Sequence, residues 1–225
     1  MLDRRKLIIA NSQQSGGYVQ DGLECWVDGI LNQGNNTIID QMGNYSDIGE
    51  VADTRNDELL LRSTRCSVKC PTLLSSYEYT IEMLSCWGDN YPTSATTHAY
   101  VFGSTFLGSG RFNDGWYYGV FQSFQDSSNT IKDSTITVDY AQQPHLYSIT
   151  VDKLTNQRKL YVDGRLVGSG GGYTYYTING YLGINTNVWV SWYPCNLKSL
   201  RLYNRPLTAE EIAVNYATDK ARFNL

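Results

Sequence analysis

Two glutamates in a strand-like segment are the first candidates for chemistry in this sequence. Glu78 and Glu82 lie four residues apart and share the parity of Thr80, which would place them on one face of a strand. Four residues of extended chain span roughly 13 Å, whereas the two carboxyl groups of a glycosidase lie about 5–9.5 Å apart. We therefore predict that both glutamates belong to a solvated strand face. A carboxylate pair assembled from distant strands stays open as an alternative.

Nucleophilic and phosphate-binding chemistry find little support in the residue pattern. The histidines, His98 and His145, are accompanied by no Gly-x-Ser-x-Gly motif, so we predict packed or surface roles for both. The glycine-rich run at 168–172 lacks the Lys-Ser/Thr pair and the helix that follow a phosphate loop. It leads instead into a tyrosine-rich segment, which favours a hairpin loop. We predict no catalytic residue in the chain and no enzymatic activity.

Aromatic side chains are the most prominent candidates for ligand binding. The sequence contains 18 Tyr, 6 Phe and 5 Trp, and many of these rings stand in stretches rich in Gly, Ser and Asn. Flat rings beside polar side chains suit sugar faces and also suit protein interfaces. Because strand alternation turns about half of such residues inward, core packing is the alternative for each. The predicted ligand-binding residues are Trp116, Tyr118, Tyr173, Tyr175, Tyr176 and Trp192.

Short alternating segments predict the strands that would position these residues. Residues 77–83 and 147–151 alternate between apolar and other side chains, which is the period of a half-buried strand. Asp163-Gly164 between apolar segments predicts a hairpin with a type I′ turn, in which both central residues take positive φ. Further strands are predicted at 98–106, 116–124, 129–138, 179–184 and 197–204. Short strands with turns about every ten residues are typical of a sandwich or barrel.

One helix is predicted near the carboxyl end. Thr208 with Glu211 three residues later forms a capping box, and Leu207 with Ile212 forms a hydrophobic staple. The helix face predicted to dock on the strands comprises Ala209, Ile212, Ala213 and Tyr216.

The amino-terminal segment and the charge predict a compartment and exclude some partners. Residues 1–20 read as a polar arm whose apolar run, Leu7–Ala10, is too short for a secretory signal. No run approaches the roughly 20 apolar residues of a membrane span. A net charge of −4 without a basic stripe argues against nucleic acid. We expect synthesis in a cytosol, with the five cysteines reduced and mostly buried.

Several segments together resemble the LamG-like jelly-roll domains of the concanavalin A-like superfamily. They follow one another in the family's order and include its opening strand, its D-x-x-G-N turn, its central hairpin and its closing strand with helix. The segments are 22–28 (GLECWVD), 40–44 (DQMGN), 145–152 (HLYSITVD), 159–164 (KLYVDG) and 197–216 (LKSLRLYNRPLTAEEIAVNY).

The resemblance implies both a fold and a metal. The implied fold is an all-β, two-sheet antiparallel jelly-roll sandwich over residues 21–225, with one short carboxyl-terminal helix. Domains of this family often hold Ca²⁺ at a sandwich edge, and the oxygens of Asp and Asn suit this hard cation. Asp40 and Asn44 are the candidate ligands. Turn capping by the same side chains is the alternative.

The resemblance extends to virion proteins of phages, and it implies a non-catalytic decoration or attachment role. In this interpretation residues 1–20 dock to virion or other assembly proteins, and the sandwich (residues 21–225) contacts a surface glycan or a protein partner. The chain would become virion-associated after synthesis, and homo-oligomerisation fits such a role. The alternatives are a free-standing carbohydrate-binding lectin and, less favoured, a glycoside hydrolase, because the E-x-D-x-x-E motif of enzymes with this sandwich is missing.

Overall fold

In a computed structural model of the chain, the strands whose bounds are described form two antiparallel sheets, and one helix with described bounds follows them. The structure describes residues 17–45, 53–55, 57–61, 66–69, 76, 78–87, 99–103, 113–117, 120–124, 130–133, 143–171, 181–184 and 195–225. In chain order the elements are β1 (Leu23–Asp28), β2 (Asp53–Arg55), β3 (Glu58–Leu61), β4 (Cys66–Lys69), β5 (Tyr79–Trp87), β6 (Ala99–Gly103), β7 (Asn113–Tyr117), β8 (Val120–Phe124), β9 (Thr130–Asp133), β10 (His145–Asp152), β11 (Gln157–Val162), β12 (Arg165–Gly171), β13 (Tyr181–Ile184), β14 (Cys195–Tyr203) and α1 (Ala209–Phe223).

The core that the structure describes lies on the larger sheet. Its order is β12-β11-β10-β5-β14-β3-β2, and β1 also pairs with β14. The smaller sheet has the order β4-β13-β6-β7-β8-β9. Neither sheet closes into a barrel, which confirms the predicted two-sheet architecture. Alternate residues of the central strands form one apolar, fully buried row, for example Ile149 opposite Ile81 and Ile81 opposite Leu202.

The predicted hairpin at 159–167 is present as β11 and β12, but β12 continues to Gly171, so the loop predicted at 168–172 is wrong for residues 168–171. Asp163 and Gly164 have φ of 52° and 75°, so both central residues take the positive φ of the predicted turn. By contrast, the single strand predicted at 116–124 is wrong, because β7 and β8 pair with each other as two antiparallel strands. The prediction of one continuous strand overlooked Gly119, a turn signal between two aromatic-rich runs.

Helix α1 begins as the sequence predicts. Thr208 accepts from the backbone N–H of Glu211, and the Glu211 carboxylate accepts from the backbone N–H of Thr208. The predicted docking face is only partly correct: Ile212 is buried, whereas Ala209 and Ala213 are exposed. The buried residues of the helix are Ile212, Asn215, Asp219 and Phe223. A search for apolar residues alone misses Asn215 and Asp219, because these polar residues contact partners on the sheet rather than water.

The packed structure begins before the predicted domain boundary at residue 21. Tyr18 is 4% exposed and belongs to the core cluster of Trp26 and Ile212. The backbone N–H of Val19 donates to Asn215 Oδ1 at 2.9 Å. Residues 1–16, which make up most of the predicted arm, lie outside the described residues.

Two further expectations concern the cysteines and the membrane. Cys25 and Cys86 are buried and form no disulfide, and burial raises the pKa of the Cys86 thiol to about 12. The side chains of Cys66, Cys70 and Cys195 lie outside the described structure. Within the described ranges, no helix has the length and apolarity that crossing a bilayer requires.

Candidate functional site

A buried row of charged side chains lies between the larger sheet and helix α1. Arg201 on β14 is directly opposite Glu82 on β5, and Arg201 Nε donates to Glu82 Oε2 at 2.8 Å. Both terminal nitrogens of Arg201 bind Asp219 on the helix, at 2.9 and 2.6 Å. Both carboxylates are fully buried. Glu82 and Asp219 therefore clamp one guanidinium and join the helix to the sheet.

Further side chains pair with the two carboxylates that hold this arginine. Glu82 accepts from Ser148 Oγ at 3.1 Å and from Asn215 Nδ2 at 2.8 Å. Tyr18 donates its hydroxyl to Asp219 at 2.7 Å. The Tyr18 ring also lies 4.3 Å from the guanidinium carbon of Arg201. Burial raises the pKa of Glu82, and the Arg201 charge opposes this effect. The network is closed to solvent, so it holds the fold together and offers no surface to a substrate.

The prediction that Glu78 and Glu82 form a solvated strand face is wrong for Glu82. Glu78 is partly exposed, but Glu82 has no accessible surface because helix α1 covers that face of β5. The strand alternates apolar and polar residues as a half-buried strand does, yet both of its faces are buried. The missed signal is the pair Asn215 and Asp219, which follow Ile212 at helical spacing and accompany Arg201 in the preceding strand.

A surface pocket of ≈ 420 Å³ lies between the β10–β11 hairpin and the start of helix α1. The strands position one wall, because the cross-strand pairs Thr150–Lys159 and Asp152–Gln157 lie on the same face of the sheet. The loop that leads into the helix forms the other wall. The lining residues are Thr150, Asp152, Gln157, Lys159, Tyr161, Pro206, Leu207, Thr208, Ala209 and Glu210.

The pocket combines an aromatic residue with fixed polar groups. Tyr161 and Leu207 are buried and belong to one core cluster, whereas Lys159 and Glu210 are exposed at the rim. Burial, and secondarily the Glu210 charge, raise the pKa of Tyr161, so its hydroxyl stays protonated at neutral pH. An apolar floor with a few polar groups is the usual composition of a small-ligand site.

Asp152 is the fixed acceptor of this pocket. Burial works against its charge, but hydrogen bonds from the Thr155 hydroxyl (2.7 Å) and from the backbone of Leu154 and Thr155 lower the pKa of Asp152. Asp152 therefore stays ionised at neutral pH, opposite Gln157 and near Lys159. Together these side chains accept and donate hydrogen bonds, as recognition of a hydroxyl-rich ligand requires.

None of the sequence-predicted ligand residues is among the described residues that line this pocket. Trp116 belongs to β7, but its side chain lies outside the described structure. The other five, Tyr118, Tyr173, Tyr175, Tyr176 and Trp192, lie outside the described residues. Their role in binding stays a prediction. The pocket residues were missed, although Gln157, Lys159 and Tyr161 share one strand parity in the predicted hairpin, which is the signal that could have found them.

The predicted metal ligands occupy a hydrogen-bonded turn. Both carboxylate oxygens of Asp40 accept two backbone N–H groups each, at 2.8–3.1 Å, and the donors are Trp26, Met42, Asn44 and Tyr45. Asn44 Nδ2 donates to the carbonyl of Glu24 at 2.8 Å. The N–H donors use the lone pairs that a cation would need, so this geometry fits the turn-capping alternative. The described residues contain no group of three or more His, Cys, Asp or Glu side chains arranged for a metal ion.

The histidine that the structure describes is paired within the fold. His145 Nδ1 lies 2.6 Å from Asp163 Oδ2, and Asp163 Oδ1 accepts from the backbone of Leu146 at 3.0 Å. The His145 side chain is 12% exposed, which fits the packed one of the two roles, packed or surface, predicted for it. His98 lies outside the described residues.

A family profile matches most of the described core. It carries the description "Concanavalin A-like lectin/glucanases superfamily" and matches residues 63–213. The chain belongs to this superfamily. The match spans β4 to the first turn of α1 and so includes both the hairpin and the helix start that enclose the pocket. No curated protein matches the chain by sequence.

Solved structures share the fold of this superfamily member at low identity. Trypanosoma rangeli sialidase has a TM-score of 0.69 at 14% identity, covering 96% of this chain and 38% of the sialidase chain. The botulinum neurotoxin serotype D binding domain has a TM-score of 0.62 at 12% identity, covering 88% of this chain and 52% of that one. Domain 4 of AbnA, a GH43 extracellular arabinanase from Geobacillus stearothermophilus, has 18% identity and a TM-score of 0.62, covering 88% of this chain and 100% of that one. At these identities the likeness concerns the fold alone.

Proposed function

We propose that this chain is a non-catalytic carbohydrate-binding module that serves attachment or decoration in an assembly. The observation that carries the proposal is the pocket beside Tyr161, where an ionised Asp152, an amide and an ammonium group surround a partly apolar floor. This set of polar groups suits a hydroxyl-rich ligand, because each hydroxyl can both donate and accept a hydrogen bond. The arabinanase domain that this chain covers in full was solved in complex with arabinotriose, which supports the same class of ligand here.

The non-catalytic part of the proposal is supported by the state of the carboxylates. Glu82 and Asp219 are sealed beneath helix α1 and paired with Arg201. Asp40 holds a turn, and the donors of its own loop lower the pKa of Asp152, which makes it a poor general acid while leaving it in the pocket as an acceptor. None of these four fits a glycosidase pair, in which one exposed acid protonates the leaving group and a second exposed carboxylate attacks or activates water.

The assembly part of the proposal is a role in a phage virion. Its support is the resemblance to virion proteins and the mainly polar composition of residues 1–16, which come before the first described residue. In this role the amino-terminal segment binds other virion proteins, and the sandwich presents its sugar site outward. A free-standing lectin would use the same pocket without such partners.

The pocket is tested by a matched pair of lysine variants. We expect the full chain to bind a subset of oligosaccharides on a glycan array, and we expect Lys159→Ala to weaken that binding by about tenfold or more, because a hydrogen bond to a charged group is lost. Lys153→Ala, on the exposed turn outside the pocket, is the control and should bind as the unchanged chain does. Equal binding by both variants would place the sugar elsewhere. Repeating the array with EDTA tests the calcium expectation.

Hydrolysis is expected to be undetectable. We predict no release of reducing sugar from β-glucan, galactan or arabinan over hours at neutral pH, because the buried carboxylates described above have no access to substrate. The measurement is a reducing-end assay on the full chain. A turnover that vanishes in Glu82→Gln, with the fold intact by circular dichroism, would contradict the non-catalytic proposal.

A further inference from the structure

Beyond its first turn, the outward face of helix α1 is apolar where a surface helix usually carries charge. Val214, Ala217 and Ala221 lie about 140–200° around the helix from the buried Ile212, as 3.6 residues per turn requires. Val214 is 48% exposed, and the two alanines are also exposed. Helix α1 already packs on the sheet through its buried face, so it does not need this second apolar stripe to hold it there.

This stripe forms one side of a groove. Ile30, at 37% exposure, forms the other side, and the groove has a volume of ≈ 630 Å³. Arg222 also lines it, but its Nε is bound to the buried Asp28 at 2.6 Å. The charge of Arg222 is therefore already paired within the fold. An apolar segment bound in the groove would not leave this charge buried without a partner.

The amino-terminal chain enters the described structure at the edge of this groove. Thr218, a lining residue, donates through Oγ1 to the carbonyl of Gly17 at 3.3 Å. The sequence before Gly17 is a polar stretch, Asn11–Gly16, preceded by the apolar run Leu7–Ala10. A short polar linker therefore joins the rim of an apolar groove to the apolar run of the amino-terminal segment.

The linker length suits the groove. A flexible chain of six residues has a root-mean-square span of about 13 Å, and the helix from Val214 to Ala221 is about 10 Å long. A linker whose span matches the distance to its site gives an effective concentration in the millimolar range. Binding within one chain is therefore favoured over binding to a second copy at ordinary protein concentrations.

We propose that Leu7–Ala10 binds in the groove formed by Ile30, Val214, Ala217 and Ala221 of the same chain. This interaction goes beyond sugar binding: it shields the apolar run of the free chain and leaves the basic residues 4–6 at the groove's end. The pocket beside Tyr161 lies at the other end of helix α1 and is not needed for it.

Tryptic cleavage of the full chain tests this proposal. The first 54 residues contain basic residues only at 4, 5 and 6, so cleavage after Lys6 reports directly on the adjacent apolar run. We expect Ala217→Lys to accelerate cleavage after Lys6 by about tenfold, because cleavage follows the undocked population and the new charge opposes docking. Ala213→Lys, an exposed position outside the groove, is the matched control and should cleave at the original rate.

A second variant removes any dependence on helix stability. Ile8→Asp changes only the amino-terminal segment and should accelerate the same cleavage, and the double variant with Ala217→Lys should add little to either single change. Protection that is independent of protein concentration supports binding within one chain. Protection that grows with concentration would mean a second copy is the occupant. Equal cleavage of the unchanged chain, Ala217→Lys, Ile8→Asp and the double variant would mean that the groove is empty. Either result overturns the proposal.

Discussion

Replacing Arg201 with methionine is expected to lower the free energy of unfolding by about 3–5 kcal/mol at neutral pH. The arginine side chain is 1% exposed and is the shared partner of Glu82 and Asp219, neither of which has accessible surface. Methionine keeps much of the volume but leaves two buried carboxylates without their cation. The hydroxyl of Tyr18 and the amide of Asn215 continue to donate to them, but neutral donors do not balance the charge.

The loss should depend on pH with a definite sign. Burial already raises the pKa of Glu82 above 4.5, and removing Arg201, which lowers it, raises it further. At a pH between the pKa of Glu82 in the unfolded chain and its higher pKa in the folded variant, the folded state binds more protons than the unfolded state. The free energy of unfolding of the variant therefore increases as the pH falls through the folded pKa. The defect of the variant is therefore largest above that pKa and shrinks as the pH approaches the unfolded value.

Urea unfolding at about pH 5 and about pH 7.5 measures both effects, with stability taken from the linear extrapolation. Arg205→Met is the matched control, because Arg205 is 26% exposed and pairs with Glu211 and Asp21 near the surface. An ion pair near the surface contributes about 0–1 kcal/mol to the free energy of unfolding. Equal losses in the two variants, or a loss at Arg201 that does not change with pH, would refute the role given to the buried network.

The second large effect is expected at Ile212. Its side chain is fully buried in the cluster that contains Tyr18, Trp26 and Leu207. Ile212→Ala should cost about 2–5 kcal/mol, since it removes buried methyl groups and leaves a cavity. Loss of the cap in Thr208→Ala should cost less, about 0.5–2 kcal/mol, because the helix remains packed.

Unfolding both variants in urea compares packing with capping directly. The cavity variant should be the less stable one, and Ile212→Ala, which lies outside the pocket, should leave the affinity for a glycan unchanged under conditions where it stays folded. Losses near zero for both would mean that helix α1 contributes little to stability, contrary to its packing against the larger sheet.

Local features were predicted well because each depends on a few neighbouring residues. Thr208 and Glu211 form their capping box whatever the rest of the chain does, and Asp163-Gly164 meets the positive φ of its turn through glycine's freedom and the tolerance of aspartate. The family signature adds the order of the strands, so the two-sheet fold also follows from the sequence. Where a turn signal was overlooked, at Gly119, two strands were predicted as one.

Which of the polar residues are buried was decided only by the tertiary structure. Glu82 looks solvated in its strand, and Asn215 and Asp219 look like an outer helix face, because polar residues usually face water. Strand pairing places Arg201 beside Glu82, and helix docking then brings Asp219 onto the same guanidinium. The pocket beside Tyr161 arises in the same way, from side chains on a hairpin and on a loop some 50 residues later. The sequence alone determined the helix, its start and most of the strands, whereas burial and the sites depend on pairings between distant segments, which no local pattern encodes.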